Sequence, residues 1–452
     1  MSTSGPDEMD RLEERLLPLL EEGDAQAIQE ALGGTHPSDL ADLVESLEEA
    51  DRLRFLDLLP TEKASETLAE MDGDEHPEDI LADMEPSKAA ALILELDDDD
   101  AADLVGDLEP EDAEVILSAL PEDEAGEIRD LLVHDEETAG GLMTRDLVKI
   151  PLHISAESAI QEVRRQGREV EDFFVVFVVD GDGRLQGSVP LDDLILADPQ
   201  DSVDTVLQPV VASVLTDVDQ EDVGRLMSRY NIPVIPVVDG EGRLLGRVTF
   251  DDVIDVLEAE QTEDLLRLAG VSEEEELKGS WSDTVRSRLP WLLLNLVTAS
   301  LAASVVRAYE GTIEQIVILA FLMPIIAALG GNAGTQALAV TLRRISLSDD
   351  RGTRRKQVVS KEVLVGIVNG MILGVGIAGI AVVASGDPRM GGVVLGAMWG
   401  TLILAGFAGA FVPTVLDRLG VDPAVASAVF LHTITDFFGF FLLLGLATHY
   451  LL

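Results

Sequence analysis

Asp436 carries the strongest chemical implication in this chain. It lies inside the apolar run AVFLHTITDFFGFFLLLGL, and no Lys or Arg in that run neutralises it. A bare carboxylate at membrane depth is costly unless it meets water or a cation, so an ion pathway is the first reading. The competing reading is a protonated Asp hydrogen-bonded to a neighbouring helix. Thr433 stands about one turn before it and Gly439 about one turn after, giving a narrow polar stripe. A second constellation is Gly330-Gly331-Asn332-Ala333-Gly334-Thr335-Gln336. Asn332, Thr335 and Gln336 stand at i, i+3 and i+4, so a helix puts them on one face. They serve either as interhelical hydrogen-bonding groups or as the polar wall of a water-filled path. A third is a run of carboxylates: Asp251, Asp252, Asp255, Glu258, Glu260, Glu263, Asp264 and Glu273 to Glu276. Two carboxylates ~4 Å apart repel by about 4 kcal/mol at an effective dielectric near 20, which makes such a run a ready site for divalent cations.

The elements that must position these groups fall into two regions. The 452 residues hold 31 Lys+Arg against 85 Asp+Glu, a formal net charge of −54, yet mean hydropathy is +0.22. From Arg286 onward there are 12 basic and 9 acidic residues, leaving 31 − 12 = 19 basic and 85 − 9 = 76 acidic before it, a net of −57. A polyanion is joined to an oil-soluble piece. Such a chain repels phosphates and is no nucleic-acid binder. It contains no Cys, hence neither a disulfide framework nor a thiolate metal site. The acidic start MSTSGPDEMD lacks an apolar run, so no signal peptide is expected. With 6 Lys among the basic residues, much of the acidity reads as a solvated, salt-adapted surface.

Five apolar stretches run approximately over 290–306, 315–342, 363–384, 391–416 and 424–448. A crossing takes ~20 helical residues, so five spans in a lipid bilayer are expected. The 343–361 loop carries Arg343, Arg344, Arg351, Arg354, Arg355, Lys356 and Lys361. Positive loops stay inside, which puts the N-terminal region in the cytoplasm, the C-terminus outside and the chain in the cell membrane. Gly374-Val375-Gly376-Ile377-Ala378-Gly379 matches G-x-G-x-x-G, but it sits within an apolar span beside Gly366 and Gly370. A dinucleotide site needs a preceding strand, so this is read as a close-packing helix face.

The acidic region is repetitive. Phe173–Ile195 and Ile232–Ile254 align without gaps at an offset of 59, with 13 of 23 positions identical. Each copy reads as a strand, a D-G-x-G-R turn, a second strand and a helix, preceded by an amphipathic helix. The pattern resembles a tandem CBS domain pair. That resemblance implies adenine nucleotide binding, such as ATP, with Thr249 and Asp252 of a T-x-x-D motif on the ribose. The first copy has Pro190 at the position of Thr249. The plainer reading of Asp252 is a helix cap. Earlier, Leu59, Met71, Met84, Leu96, Leu108, Leu120 and Leu132 recur every 12 or 13 residues, often with Pro next. Short helices so marked are expected to stack into a curved solenoid. His36, His76 and His134 are scattered, and no nucleophile–base pair is visible, so the chain is not read as an enzyme.

The order of these parts resembles the MgtE family of magnesium channels. The carrying pieces are HDEETAGGLMT (from His134), the CBS pair, GGNAGTQ (from Gly330) and Asp436. The resemblance implies a multidomain α + α/β membrane protein: an acidic helical superhelix over 1–136, a CBS pair over 137–257, a connecting helix over 258–287 and five spans over 288–452. It implies a homodimer whose pore lies on the two-fold axis, with Asp436 of each protomer on a hydrated Mg2+ and Asn332, Thr335 and Gln336 on the pore side. By position, Asp219, Glu221, Asp252, Asp255, Glu260, Glu263, Asp264 and Asp422 match residues that bind regulatory Mg2+, with Asp99 and Asp103 as matches in the helical domain. His432 departs from the pattern, because a small residue is expected one turn before Asp436; it either faces the pore or hydrogen-bonds between helices. The implied function is Mg2+ uptake gated by cytoplasmic Mg2+ and modulated by ATP. Two alternatives are an ion-coupled carrier of Mg2+, Mn2+ or Co2+, and a nucleotide-sensing receptor with the spans as anchor.

Overall fold

The computed structural model describes residues 16, 18–20, 25–32, 34–168, 170, 173–269, 271, 281–346, 354–419 and 423–452. Asp422 and Glu273 to Glu276 lie outside them. The chain divides into two units, Met1–Glu260 and Gln261–Leu452.

The first unit opens with short helices: α1 (Ala25–Ala31), α2 (Pro37–Ser46), α3 (Glu49–Leu56), α4 (Thr61–Ala69), α5 (Pro77–Asp83), α6 (Pro86–Ile93), α7 (Asp98–Gly106), α8 (Pro110–Ala119) and α9 (Glu122–Leu131). Proline starts many of them, where its missing N–H costs nothing. Pro37, Pro77, Pro86 and Pro110 sit in the first turn, and Pro60 and Pro121 at the cap. From α2 onward the helices contact their second neighbours, α2 with α4, α4 with α6, α6 with α8, and α5 with α7, α7 with α9. That zigzag is the stacked array expected. The recurring apolar residue has a specific place: each one follows the end of a helix. Leu59, Met71, Met84, Leu108 and Leu120 plug these corners and are buried, whereas Leu132 closes the series and is exposed.

The CBS repeats follow. β1 (Lys149–Pro151) runs parallel to β2 (Val175–Val179), which pairs antiparallel with β3 (Leu185–Pro190); α10 (Ala156–Gln166) and α11 (Leu191–Leu196) accompany them. The second copy repeats this with β4 (Val214–Leu215), α12 (Gln220–Tyr230), β5 (Val234–Val238) and β6 (Leu244–Thr249). Both copies carry a register shift at equivalent points, Val178/Val179 and Val237/Val238. The two turns pair with each other: Leu185 N donates to Gly242 O at 3.0 Å, and Leu244 N to Gly183 O at 3.1 Å. Gly183 and Gly242 hold φ of +79° and +80°, which explains glycine there. The cores are unequal. Val214, Val223, Met227, Ile235, Val237, Val248 and Val253 of the second copy belong to the same apolar cluster as the helical array, joined through Ala139 and Met143. The first copy has its own cluster around Ile150, Val176 and Val189. Helix α13 (Phe250–Ala269) leaves the second copy and continues past the end of the unit.

Among the described residues, the second unit holds five helices long and apolar enough to cross a membrane: α14 (Trp281–Ala308), α16 (Ile318–Ser346), α17 (Arg354–Ser385), α18 (Pro388–Arg418) and α19 (Pro423–Leu451), with short α15 (Glu310–Gln315) between the first two. The first apolar segment, Thr284–Ala308, is longer than its apolar run alone suggests. The fourth span is the hub, 61% enclosed within the protein against 11% for the first, and it contacts the second, third and fifth. Small residues allow this. A Cβ on Gly370 would come within 3.0 Å of Trp399 Cδ1, and one on Gly366 would strike the Leu402 carbonyl. Trp399 Nε1 donates to Ile367 O at 3.0 Å across the same seam. The G-x-G-x-x-G stretch is helical, and Gly374 packs on Leu395, while Gly376 and Gly379 face open space. Gly366→Val is therefore expected to cost about 1–3 kcal/mol through overpacking. Its melting temperature in detergent should fall, and that of Gly376→Ala should stay within error of wild type; equal effects at the two positions would refute the seam.

Candidate functional site

The fifth span presents Asp436 half-buried, with no hydrogen bond or Lys/Arg ion pair to any described residue. The flanking hydroxyls do not compete for it. Thr433 Oγ1 donates to Val429 O at 2.7 Å and Thr435 Oγ1 to His432 O at 3.1 Å, so both hydroxyls are satisfied within their own helix. The carboxylate opens on a cavity of about 1030 Å³. Ala299, Ala302 and Ala303 of the first span, Glu310 and Glu314 of α15, and Phe440 form much of its wall. None of these wall residues was singled out from sequence. Their link to Asp436 is tertiary, and the alanines carry no chemical signal.

Asn332, Thr335 and Gln336 share an exposed face of the second span, as their spacing requires. None makes a side-chain hydrogen bond to a described residue, so a role as glue inside the protomer gains no support. They do not line the Asp436 cavity. The adjacent glycines do the packing: a Cβ on Gly330 would lie 2.8 Å from Thr401 Cγ2, and one on Gly334 2.8 Å from Leu431 Cδ1. His432 is exposed, with its ring edge beside Gly331, where a Cβ would come within 3.2 Å of Cδ2.

The first unit gathers its carboxylates into two clusters. One joins Asp99 and Asp103 of α7 to Asp252 of α13. Asp99 is buried, its Oδ1 has no hydrogen-bond partner among the described residues, and burial with Asp252 and Asp100 nearby drives its pKa well above the usual value. Crowding by protein, then repulsion from Asp252, raises Asp100 to about 7, and crowding followed by Asp100 and Glu136 raises Asp103 to about 7. Both residues are exposed, so it is the crowding of nearby protein and charge rather than enclosure that acts on them. Burial raises Asp98 to about 6, opposed by Arg145, and Asp146 to about 6, opposed by Arg247. Asp252 is raised by burial against hydrogen bonds from Thr249, and Asp255 by burial followed by Glu70 and Asp251. Sequence reasoning named Asp99, Asp103, Asp252 and Asp255 here and missed Asp98, Asp100 and Asp146, although Asp97 to Asp100 is a visible acidic run.

The other cluster surrounds Glu260. Burial raises its pKa, Gln220 Nε2 donates to its Oε1 at 2.9 Å, and Glu221, Asp219 and Glu137 add repulsion. Asp219 also caps α12, accepting from Glu221 N at 2.9 Å, and Glu221 pairs with Arg225 at 2.6 Å. Glu263 pairs with Arg267, and Asp264 is placed by its backbone in α13. Among the described residues, no three Asp, Glu or His side chains converge tightly enough to cage a bare ion in this conformation. Clusters this open suit Mg2+, which keeps several waters and takes one or two carboxylates directly.

At the T-x-x-D motif, Thr249 N and Oγ1 both donate to Asp252 Oδ2, at 3.2 and 2.5 Å. Since α13 starts at Phe250, this is a capping arrangement at the helix entrance, and it fixes both side chains at the end of β6.

Three segments match family models: a divalent cation transporter domain over 323–446, an MgtE intracellular N domain over 35–137, and CBS domains over 139–199 and 203–259. The chain is 35% identical over 443 residues to the magnesium transporter MgtE of Thermus thermophilus, covering 97% of this chain and 98% of that one. It is 36% identical over 422 residues to the magnesium transporter MgtE of Enterococcus faecalis, covering 93% of each. Among solved structures, the soluble part of a magnesium transporter is 33% identical with a TM-score of 0.52, over 56% of this chain and 99% of that chain. The cytosolic domain of the Mg2+ channel MgtE in complex with ATP is 38% identical with a TM-score of 0.51, over 53% and 98%. With such matches along almost its whole length, this multi-pass membrane chain belongs to the MgtE family of magnesium transporters.

Proposed function

We propose that this protein is a Mg2+-selective channel for uptake, closed by Mg2+ binding to its own cytoplasmic region. The observation that carries the reading is Asp436: a carboxylate without an ion pair to a described Lys or Arg, inside the membrane unit, open to a cavity. In a homodimer two such groups would hold a hydrated dication through its waters, tightly enough to select and weakly enough to release. The exposed face of Asn332, Thr335 and Gln336 supports a polar wall completed by the partner protomer. His432 beside it is then a group that opposes cation entry when protonated. The N-terminal region is cytoplasmic and the C-terminus extracytoplasmic on the charge of the 343–361 loop.

Gating rests on the two carboxylate clusters. Crowded, ionised carboxylates push α7 away from the second CBS copy; Mg2+ bridging Asp99, Asp103 and Asp252, and a second ion at Asp219, Glu221 and Glu260, would draw them together. Asp255, Glu263, Asp264 and Asp422 extend the regulatory set along α13 and to the membrane side. Shifting a two-state gate from 1:99 to 99:1 takes about 5.5 kcal/mol of differential binding, within reach of a few such ions. ATP would sit at Thr249 and Asp252 of the second copy; the ATP complex of a 38% identical cytosolic domain supports this.

Three outcomes are expected. In liposomes, Asp436→Ala should lower Mg2+ flux by roughly tenfold or more, since its site organises the permeating ion; undiminished flux would end the pore assignment. Single-channel currents from the same protein separate a channel from an ion-coupled carrier. For pH the sign is fixed by raised folded-state pKa values. Below the unfolded pKa near ~4 these carboxyls cost nothing, and stability is lost as pH climbs through their folded values, about 6 for Asp98 and about 7 for Asp100 and Asp103. Without Mg2+, protection factors for α7 amides should thus fall between about pH 4 and 7 and level off above, and saturating Mg2+ should flatten the trend; a flat profile without Mg2+ would contradict it. Thr249→Val should weaken ATP binding by about tenfold, the worth of one good hydrogen bond, and calorimetry on the full-length protein reads it.

A further inference from the structure

The outer half of the fifth span is held by the corner between the first span and α15. Tyr309 makes that corner. Its N–H closes the last turn of α14 on Val305 O and Val306 O, each at 3.2 Å, and its carbonyl opens α15, accepting from Thr312 N at 3.0 Å and Ile313 N at 3.2 Å. Three side-chain contacts tie the corner to the fifth span. Thr312 is buried, and its Oγ1 lies 2.8 Å from Thr448 Oγ1. Thr448 donates its one hydroxyl proton to Leu444 O at 2.7 Å, so Thr312 is the donor between the two. The Tyr309 ring meets Phe441 edge-on, with centroids 6.3 Å apart. Its hydroxyl rests over Gly445, where a Cβ would lie 3.4 Å away. Phe441, Gly445 and Thr448 stand at i, i+4 and i+7, so they form one face of that helix. None of these five residues lines the cavity, whereas Asp436 and Phe440 do.

We propose that Tyr309 and Thr312 are positioning residues for Asp436: by gripping Phe441, Gly445 and Thr448 they fix the rotation of the fifth span, and with it the direction in which the carboxylate points. This rests on the pore reading of Asp436. Asp436 stands five residues before Phe441, about 7.5 Å along the axis at 1.5 Å per residue. Asp436 itself makes no hydrogen bond to a described residue, and Thr433 and Thr435 bond within their own helix. Its aim is therefore set by how the helix is turned. A group that holds an ion must stay within about 0.5 Å and 10–20° of its productive geometry. A single contact would leave the helix free to pivot, whereas a grip along one face over two turns resists rotation. The corner reaches the fifth span from outside the cavity, so it directs the carboxylate without occupying the path of the ion.

The test is Mg2+ influx into liposomes bearing the full chain, read as half-saturating Mg2+ concentration and maximal flux. Thr312→Val should raise half-saturation by roughly 3- to 10-fold, the factor that one net hydrogen bond supports, with maximal flux within about twofold of wild type. Thr312→Ser keeps the donor and should bring half-saturation back. Thr448→Val removes the same bond, so the double variant Thr312→Val, Thr448→Val should shift no further than either alone. Tyr309→Ala should move half-saturation in the same direction. Fewer folded molecules would lower maximal flux and leave half-saturation alone, so that pattern marks a merely structural role and overturns the proposal. Unmoved half-saturation in Thr312→Val does the same, as does an equal shift in Thr312→Val and Thr312→Ser. Should Thr312→Val fail to insert, Thr448→Val decides by the same criteria. Asp436→Ala in parallel separates the two readings: flux lost there with unmoved threonine variants sinks only the positioning role, whereas full flux in Asp436→Ala sinks the pore.

Discussion

Negative charge withheld from water without a built-in counter-charge is the constraint on which this structure turns. Asp99 is enclosed with an oxygen that no described donor reaches, and Asp436 sits among apolar spans without an ion pair to a described Lys or Arg. A protein with 31 basic residues had the means to neutralise such groups. It spends several elsewhere, as Arg52 does on Glu75 and Arg225 on Glu221. A carboxylate left uncompensated in a crowded place either takes a proton or waits for a cation, and every tenfold rise in its proton affinity reflects about 1.4 kcal/mol of that demand. Both units of the chain pose this problem, and under the proposed function a hydrated dication would answer both.

The scaffold explains how such crowding is tolerated. In the first unit, apolar corner plugs and proline starts define each short helix, so α7 can carry four consecutive Asp at its N-terminal end without losing its place in the array. Acidic residues in a first helical turn also gain from the helix dipole, which offsets part of their repulsion. In the membrane unit the fourth span supplies the rigid centre through glycine seams, and the first span touches mainly the fifth. The carboxylate of the fifth span thus borders the least enclosed helix of the bundle.

Much of this was legible in the residues alone. The 59-residue offset carried the hairpin and following helix of each CBS copy, because turn glycines and β-branched strands are local signals, whereas the short parallel strands β1 and β4 lie outside the repeat and were not read. Five spans were visible as apolar length, and Asp436 as an anomaly within one of them. The leucine period was seen, but its meaning was not: it marks corners rather than helix faces, a distinction that depends on where each helix stops. The clusters were half legible. Asp99, Asp103 and Asp252 were named, whereas Asp146 and Asp98 meet across separate segments whose approach only the tertiary stack creates. Glu310 and Glu314 fell between two apolar runs and were not singled out. The T-x-x-D motif was visible as both a ligand pair and a cap, and the cap is what the geometry presents.

The unequal cores of the CBS copies have a consequence for how this region can change. The second copy shares its hydrophobic interior with the helical array, whereas the first keeps a separate one. A substitution inside the second copy must satisfy two partners at once, so its interior is held by constraints from both sides. The first copy's own strands enclose a separate interior. Drift, replacement by another module, or loss of ligand chemistry should accumulate there, and Pro190 in place of the threonine is what such freedom looks like.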